Sequence, residues 1–172
     1  MMIRLRPIRE DELAGYKKEM QKAFQLGAEA KYGKQGMQIL PEADIDRSLH
    51  TAGAAAYAAV DGREIVGGAV VVINEKTQRN HLDFLFVKTG FQNRGIGQDI
   101  WSEIERLYPD TKVWETFTPY FDKRNIHFYL NRCGFRAAEF FCPAHPDPSE
   151  CGKPNVVPDD DVCMFRFEKI MK

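Results

Sequence analysis

The sequence predicts an α/β fold in which helices pack against a mixed sheet, and two patterns support this prediction. Several short segments alternate apolar with polar residues or are apolar throughout, which is typical of strands. Other segments repeat apolar residues at every third or fourth position, which is typical of helices with one buried face. Their order along the chain is a strand, helices, several strands, and then alternating strands and helices.

The N-terminal segment is expected to form a strand followed by a helix. Ile3 and Leu5 alternate with Arg4 and Arg6, so one face of the strand would be buried. Asp11 stands where an aspartate commonly caps the start of a helix. The helix that follows has apolar residues at helical spacing, namely Leu13, Tyr16, Met20, Ala23 and Phe24.

The middle of the chain is expected to contain a loop, a short helix and a hairpin. Residues 31–37 are polar and rich in glycine, which predicts a loop. Residues 41–49 begin with Pro-Glu, a combination typical of the first turn of a helix. Asp61-Gly62 is a strong two-residue turn signal between strands at 55–60 and 65–73.

The second half is expected to alternate strands and helices. Residues 81–87 are apolar on both faces, which predicts a strand inside a sheet. Gly134 follows a helical segment and would adopt a positive φ as its C-terminal cap. The other predicted elements are, in order, a loop at 89–97, a helix containing Ile100, Trp101, Ile104 and Leu107 that ends near Pro109, a strand at 112–116, a helix at 125–133, a strand at 135–141, a loop at 143–160 and a strand at 162–170.

Composition and charge indicate an ordinary globular protein. Of the 172 residues, 44% are apolar and 28% are charged, which suits a single domain spanning residues 1–172. The net charge of −1 predicts no binding to nucleic acid or to an acidic membrane surface. No segment has the apolar stretch of a signal peptide or the roughly 20 apolar residues of a membrane span. The expected location is therefore the cytoplasm.

The four cysteines lie in the C-terminal third of the sequence: Cys133, Cys142, Cys151 and Cys163. No pair has a Cys-x-x-Cys spacing, so free thiols are expected in a reducing cytoplasm. Cys142, Cys151, His145 and Asp147 share the proline-rich segment, but their spacing matches no tetrahedral zinc pattern. No metal site is expected.

A glycine-containing loop between a buried strand and a helix is the most informative segment. Gly95 and Gly97 have no side chains, so a ligand can approach the backbone closely. The first amides of the following helix point toward the same space, and the helix dipole adds partial positive charge. Arg94 contributes a full positive charge beside them. The sequence therefore predicts an anion site suited to phosphate.

Two common phosphate-binding loops do not match this segment. A P-loop requires Lys-Ser or Lys-Thr after its last glycine, whereas Gly97 is followed by Gln98 and Asp99. A dinucleotide-binding loop requires a third small residue, and Ile100 occupies that position. A tight turn without a ligand remains the alternative.

The pattern Gln92-x-x-Gly95-x-Gly97 after an apolar strand resembles the pyrophosphate loop of the GCN5-related N-acetyltransferases, the GNAT superfamily. The segment from Asn125 to Gly134-Phe135 is similar to the second signature of that family, and Ile3–Pro7 to its first strand. The resemblance extends to about Phe141. It implies a mostly antiparallel central sheet of about six to seven strands, flanked by about four helices.

The resemblance implies an N-acetyltransferase that uses acetyl-CoA as co-substrate. Such enzymes bind both substrates together and transfer the acetyl group directly to an amine, here a primary amine of a small molecule or peptide. A homodimer would also fit the family. The residues that the resemblance assigns to the cofactor are Phe86, Val87, Gln92, Asn93, Arg94, Gly95, Ile96, Gly97, Gln98 and Asn125.

Two other functions stay open at this point. One is a module that binds acyl-CoA as a sensor without catalysis, and the other is a nucleotide-binding regulatory domain. Residues 25–49 and 143–160 would form the acceptor pocket by analogy with the family, but neither has a readable pattern.

The base that deprotonates the amine is expected on the strand before the loop. His81 and Asp83 lie two residues apart and would project from the same face. Counted back from Gln92, His81 matches the catalytic Glu of the GCN5 histone acetyltransferases, and His81 with Asp83 matches the His pair of arylalkylamine N-acetyltransferase. Glu115 is a second candidate carboxylate. A surface role for His81 and a substrate-binding role for Asp83 are the alternatives.

Tyr129 is the candidate acid that protonates the departing thiolate. The family tyrosine most often stands four residues before the glycine, where this chain has Leu130, and Tyr129 stands five before it. A buried aromatic in the core is the alternative for Tyr129, and Tyr120 is the next candidate acid. For Asn125 the alternative to a cofactor contact is a helix N-cap.

Overall fold

The computed structural model describes residues 2–32, 38–148 and 163–172. The chain divides into two compact units, Met1–Lys112 and Val113–Lys172. The described residues form seven strands and four α-helices, and the predicted α/β class is confirmed. The strands are β1 Ile3–Pro7, β2 Ala54–Asp61, β3 Glu64–Val72, β4 Arg79–Val87, β5 Val113–Pro119, β6 Arg136–Phe141 and β7 Met164–Ile170. The α-helices are α1 Leu13–Tyr32, α2 Glu42–Leu49, α3 Ile96–Leu107 and α4 Lys123–His127.

The first unit contains an antiparallel arrangement of β1, β2, β3 and β4 in that order. The predicted turn at Asp61-Gly62 is confirmed, because Asp61 pairs with Glu64 and Gly62 has a φ of 63°. Only small residues fit where α1 crosses β3, since a Cβ on Gly68 would lie 2.5 Å from the Tyr16 ring. The Tyr16 hydroxyl donates to the carbonyl oxygen of Ala69 at 3.2 Å, so the crossing is fixed by a buried hydrogen bond.

The core beneath β4 comes from the predicted apolar faces of α1 and α2. Tyr16, Met20 and Ile45 pack with Val70 and Phe86, and each of these side chains is buried. Burying a large apolar side chain contributes about 1.5–3 kcal/mol to the free energy of unfolding. This core therefore fixes the position of β4, the strand that bears His81 and Asp83, the catalytic candidates of this unit.

The start of α1 differs from the sequence prediction. Asp11 was expected as the cap, and this was wrong, because the chain first forms a 3-10 turn at Glu10–Glu12 with Arg9 as its N-cap. Glu12 Oε1 accepts from the Arg9 amide at 3.0 Å, and the Arg6 guanidinium donates to both Glu12 oxygens at 2.8 and 2.7 Å. Arg6 thereby lowers the pKa of Glu12 to about 2. The carboxylate that stabilises this turn is therefore that of Glu12.

Helix α3 follows the glycine loop and buries one face that includes the predicted Ile100, Trp101 and Ile104, whereas the predicted Leu107 is 43% exposed. Ile96, Ile100, Trp101 and Ile104 are each 1% exposed or less. This spacing of three and four residues places all four on one side of the helix. The head of α3 is therefore held by the core of the first unit.

The second unit contains β5, β7 and β6 in that order, with antiparallel pairing. The predicted helix at 125–133 is shorter than expected, because α4 ends at His127 and a single π-helical turn follows at Phe128–Arg132. The Cys133 amide donates to the Phe128 carbonyl oxygen at 3.1 Å, which is the bond of a π turn. Gly134 then has a φ of 82°, so the predicted positive-φ cap is confirmed.

Two predicted loops lie partly or mainly outside the described residues. The prediction of a loop at 31–37 was wrong for residues 31 and 32, because α1 extends to Tyr32. Residues 33–37 and 149–162 are not among those described. Within the described part of the chain, no helix is long and apolar enough to cross a membrane.

Candidate active site

His81 and Asp83 lie in contact on β4, next to a β-bulge in its pairing with β3. The pairing of β3 with β4 shifts between Val70 and Val71, which leaves Asp83 outside the regular pairing with β3. His81 Nδ1 and Asp83 Oδ1 are 2.6 Å apart, with side chains 28% and 20% exposed. A bulge redirects a side chain and is common beside active sites. The two side chains are thus half-buried and in contact.

The contact between these residues fixes the protonation pattern of the imidazole. A carboxylate only accepts hydrogen bonds, so a neutral His81 carries its proton on Nδ1. In that tautomer the second ring nitrogen, Nε2, is the unprotonated one. The arrangement is chemically suited to general base catalysis.

Ser48 is a third member of this group that the sequence analysis missed. It lies on α2, is 8% exposed, and its hydroxyl donates to Asp83 Oδ2. With one oxygen bonded to Ser48 and the other to His81, the Asp83 carboxylate is held in a single orientation. A sequence feature that could have indicated Ser48 is its position three residues after Ile45, which places it on the buried face of a short amphipathic helix.

The glycine loop has the backbone geometry of an anion site. Gly95 is the N-cap of α3 in a left-handed conformation, with φ 76° and ψ 8°, and a Cβ there would meet nothing within 4 Å. The Asp99 amide donates to the Gly95 carbonyl oxygen at 3.1 Å and is the first amide used within the helix. The amides of Ile96 and Gly97 precede it and therefore have no partner within the helix. The space in front of Gly95 is open, and the positive end of the helix dipole faces it.

Side chains within the loop shape it in two ways. Gln92 Oε1 accepts from the Gly90 amide at 2.9 Å, so this side chain stabilises the turn itself. The Arg94 guanidinium carbon lies 5.4 Å from the centre of the Phe91 ring. Arg94 is exposed, so its positive charge lies at the surface of the loop. Asn93 is exposed with a φ of 65°, Gln98 is exposed, and Ile96 is buried. Ile96 can therefore contact a ligand only through its backbone.

Thr89 is a second residue that the sequence analysis missed. Its hydroxyl oxygen is buried and has no hydrogen-bond partner within the described structure. A buried hydroxyl without a partner costs about 1–3 kcal/mol, so such groups are commonly satisfied by a ligand or water. Its position directly before Gly90, in the loop, was the available signal.

The backbone of β4 distinguishes between Phe86 and Val87, two of the residues that the resemblance assigns to the cofactor. The Lys88 amide donates to the Val66 carbonyl oxygen at 2.8 Å, so Lys88 faces β3. Backbone groups alternate sides along a strand, and Phe86 therefore also faces β3 while the Val87 amide faces away from it. Val87 is the better placed of the two as a donor to a thioester oxygen.

Tyr129 lies in the aromatic core of the second unit. It is 5% exposed, and its ring packs edge-on against Phe128 and Phe135. Burial raises the pKa of Tyr129, although a hydrogen bond with Thr116 acts in the opposite direction. The phenol therefore keeps its proton at neutral pH, which is the state that a proton donor requires.

The π turn bears on the position of Tyr129 relative to Gly134. A π turn uses one residue more per turn than an α-helix. Tyr129, five residues before Gly134, thus takes a rotational position close to that of a residue four before the glycine in a regular α-helix. The extra residue in the sequence is absorbed by the turn.

The other candidates have defined partners within the second unit. Asn125 is not the N-cap of α4, so that alternative was wrong, because Asp122 is the cap and accepts from the Asn125 amide at 3.1 Å. Glu115 lies 3.3 Å from Arg166, so its charge is balanced by an ion pair. Tyr120 is 45% exposed and packs beside Phe140 and Phe165.

Several solved structures are similar to this chain along nearly its whole length. An acetyltransferase from Thermus thermophilus is 14% identical, with a TM-score of 0.69 and coverage of 99% of this chain and 98% of that one. A GNAT family acetyltransferase from Elizabethkingia anophelis with acetyl-CoA bound is 16% identical, with a TM-score of 0.71 and 98% coverage of both chains. Spermidine N-acetyltransferase from Vibrio cholerae, in complex with CoA and spermine, is 9% identical, with a TM-score of 0.69 and coverage of 98% and 95%. These similarities show a shared fold.

Sequence comparison identifies the family. The uncharacterized protein YrkN of Bacillus subtilis (strain 168) is 41% identical over 171 residues, which is 95% of this chain and 91% of that protein. The model of the acetyltransferase (GNAT) family matches residues 17–135, which include the glycine loop and the π turn. The chain therefore belongs to the GNAT family of acetyltransferases.

Proposed function

We propose that this protein transfers an acetyl group from acetyl-CoA to a primary amine of a small molecule or peptide, directly and within a ternary complex. The observation that most supports it is the contact of 2.6 Å between His81 Nδ1 and Asp83 Oδ1. It orients an imidazole on β4, the strand that leads to the glycine loop. Acetyl-CoA as co-substrate is supported by the loop and by the Elizabethkingia anophelis structure with that molecule bound.

His81 is the proposed general base. An alkylammonium group has a pKa near about 10.4 and must lose a proton before it can attack. His81 Nε2 accepts that proton, directly or through water, and Asp83 stabilises the imidazolium that forms. Ser48 holds Asp83 in place and is a positioning residue.

The neutral amine then attacks the thioester carbon. As the carbon–nitrogen bond forms, negative charge develops on the thioester oxygen, and the Val87 amide is the proposed donor to it. The carbon–sulfur bond breaks as this intermediate collapses, and the CoA thiolate leaves with the electron pair. The attacking nitrogen, which carries a positive charge after the attack, releases its second proton to solvent and so becomes a neutral amide. Tyr129 is the proposed acid that returns a proton to the sulfur.

The proposed cofactor site uses the loop and the start of α3. The amides of Ile96, Gly97 and Gln98 and the Arg94 guanidinium would bind the diphosphate. Gln92 and Asn93 would hold the loop in its binding conformation, and Phe86 would support the neighbouring Val87 amide. The Thr89 hydroxyl is a further candidate donor. Asn125 remains a proposed cofactor contact from the resemblance alone.

Replacement of Tyr129 by phenylalanine is expected to lower kcat by about 100-fold, since the departing thiolate loses its proton donor. The change also removes the hydrogen bond with Thr116, which should reduce the free energy of unfolding by about 1 kcal/mol. Steady-state kinetics and thermal melting measure the two effects separately. Tyr120→Phe, as the control, should keep full turnover. An unchanged kcat for Tyr129→Phe together with lower stability would mean that Tyr129 has only a structural role in the core.

The alternative is a module that binds acyl-CoA without catalysis. The loop geometry fits both functions, and only the base distinguishes them. A thiol-release assay with acetyl-CoA and a panel of polyamines, arylalkylamines, aminoglycosides and peptides tests the choice. We expect CoA release that depends on one class of amine. Binding of acetyl-CoA with no release for any amine would favour the sensor.

We further propose that the two units form one domain, because the family match runs across the boundary between them. A cytoplasmic location accords with the use of acetyl-CoA, which is made and consumed inside cells. A homodimer is proposed from the family alone, and sedimentation velocity would test it.

A further inference from the structure

Two cysteines face each other just beyond the paired ends of β6 and β7. Phe141 and Met164 are the last paired residues of these strands. The next residue on each strand is a cysteine, Cys142 on one side and Cys163 on the other. Both are present as thiols and both are partly exposed. Continuing the register by one step places them directly opposite one another.

The backbone hydrogen bonds show which kind of pair they form. The Tyr120 amide donates to the Cys163 carbonyl oxygen at 2.9 Å, so the backbone groups of Cys163 face β5. The Cys142 amide donates to the His145 carbonyl oxygen at 3.0 Å and the His145 amide donates back at 2.9 Å, so those of Cys142 face away from β7. Two independent contacts therefore identify Cys142 and Cys163 as a non-hydrogen-bonded cross-strand pair.

Such pairs have a geometry that a disulfide can span. In a non-hydrogen-bonded antiparallel pair the Cα atoms lie about 4.5 Å apart and the side chains approach closely. Disulfides are found at Cα separations of about 4.4–6.8 Å. We propose that Cys142 and Cys163 form a reversible disulfide by exchange with a low-molecular-weight disulfide.

The exchange is balanced within the two thiols and the small disulfide. One protein thiolate attacks a sulfur of the small disulfide, whose sulfur–sulfur bond breaks to release one small thiolate. The second protein thiolate attacks the protein sulfur of the mixed disulfide and releases the second small thiolate. The two thiol protons of the protein end on the two released thiols. Two electrons pass from the cysteine pair to the small disulfide.

The neighbouring histidine does not turn this pair into a metal site. His145 Nε2 lies 2.6 Å from Glu139 Oε2, and its ring stacks on Phe141 at an interplanar angle of 3°. Among the described residues, no group of three or more His, Cys, Asp or Glu is arranged to hold a metal ion. The two thiols therefore act as partners of a small disulfide in thiol–disulfide exchange and not as metal ligands.

Incubation of the full-length protein with glutathione disulfide tests the proposal. Intact-mass analysis should show the loss of two hydrogen atoms, and peptide mapping of the oxidised wild-type protein should find Cys142 joined to Cys163. The single variants Cys142→Ser and Cys163→Ser should lose this product. Cys151→Ser is the matched control and should keep it.

Three results would overturn the proposal. One is a wild-type map that joins Cys151 to either residue, and another is a product that remains as separate glutathione adducts. The third is stoichiometric binding of zinc by the reduced protein that protects these two thiols. The wild-type map needs no variant, so a variant that fails to fold leaves the test intact.

Discussion

Replacement of His81 by alanine is expected to lower kcat about 100- to 10,000-fold, because general base catalysis commonly contributes that much. The affinity for acetyl-CoA should change little, since His81 lies on the strand before the loop and outside it. Steady-state kinetics with the amine identified by thiol release, together with calorimetric titration of acetyl-CoA, separate the two quantities. His50→Ala provides a control at an exposed histidine beyond α2 and should keep full activity.

Substitutions of Asp83, which contacts His81, and of Ser48, which contacts Asp83, are expected to lower kcat by successively smaller amounts. Asp83→Asn should also lower kcat strongly, because an amide can donate to Nδ1 and so place the imidazole proton on Nε2. Ser48→Ala should have a smaller effect, since it removes one hydrogen bond to a carboxylate that keeps its contact with His81. If His81→Ala and Asp83→Asn both retain wild-type kcat, the base lies elsewhere and Glu115 becomes the next candidate.

Replacement of Gly95 by alanine is expected to weaken CoA binding about ten- to a hundred-fold. A Cβ at this position would enter the open space that the diphosphate is proposed to occupy. Loss of one hydrogen bond to a charged group costs about 1.5–3 kcal/mol, which corresponds to that range in Kd. The substitution also forces alanine into a left-handed conformation, which costs about 1–2 kcal/mol of stability.

Gly62 offers a matched control for this experiment. It has a φ of 63°, and a Cβ there would also meet nothing within 4 Å, but it lies in the hairpin between β2 and β3. Gly62→Ala should therefore show the same loss of stability with an unchanged Kd for CoA. Equal Kd values for the two variants would mean that Gly95 serves only the conformation of the turn. Arg94→Ala should weaken binding without a loss of stability.

Features set by local residue patterns could be predicted from the sequence. The hairpin at Asp61-Gly62 and the cap at Gly134 follow from conformations that glycine adopts easily. The buried face of α3 follows from the helical spacing of Ile100, Trp101 and Ile104. The glycine loop was predicted as a ligand site for the same local reason, and its conformation is compatible with that prediction.

Features set by contacts between distant residues could not be predicted. Ser48 is 35 positions from the Asp83 that it contacts, and no local pattern relates the two. The bulge at Asp83 depends on the register of β3 against β4, which the residues of β4 alone do not reveal. The turn that precedes α1 depends on the ion pair between Arg6 and Glu12. No local pattern indicates that Glu12, and not Asp11, would stabilise this turn. The π turn absorbs an extra residue that helical spacing alone does not reveal.

Calorimetric comparison of CoA with pantetheine, which lacks both the diphosphate and the adenosine 3′-phosphate, tests the central claim most directly when the wild-type protein is measured beside Gly95→Ala. We predict that CoA binds at one site and that pantetheine binds at least about 100-fold more weakly, since it cannot reach the amides at the head of α3. Equal affinities for the two molecules, or no binding of CoA at all, would contradict the account.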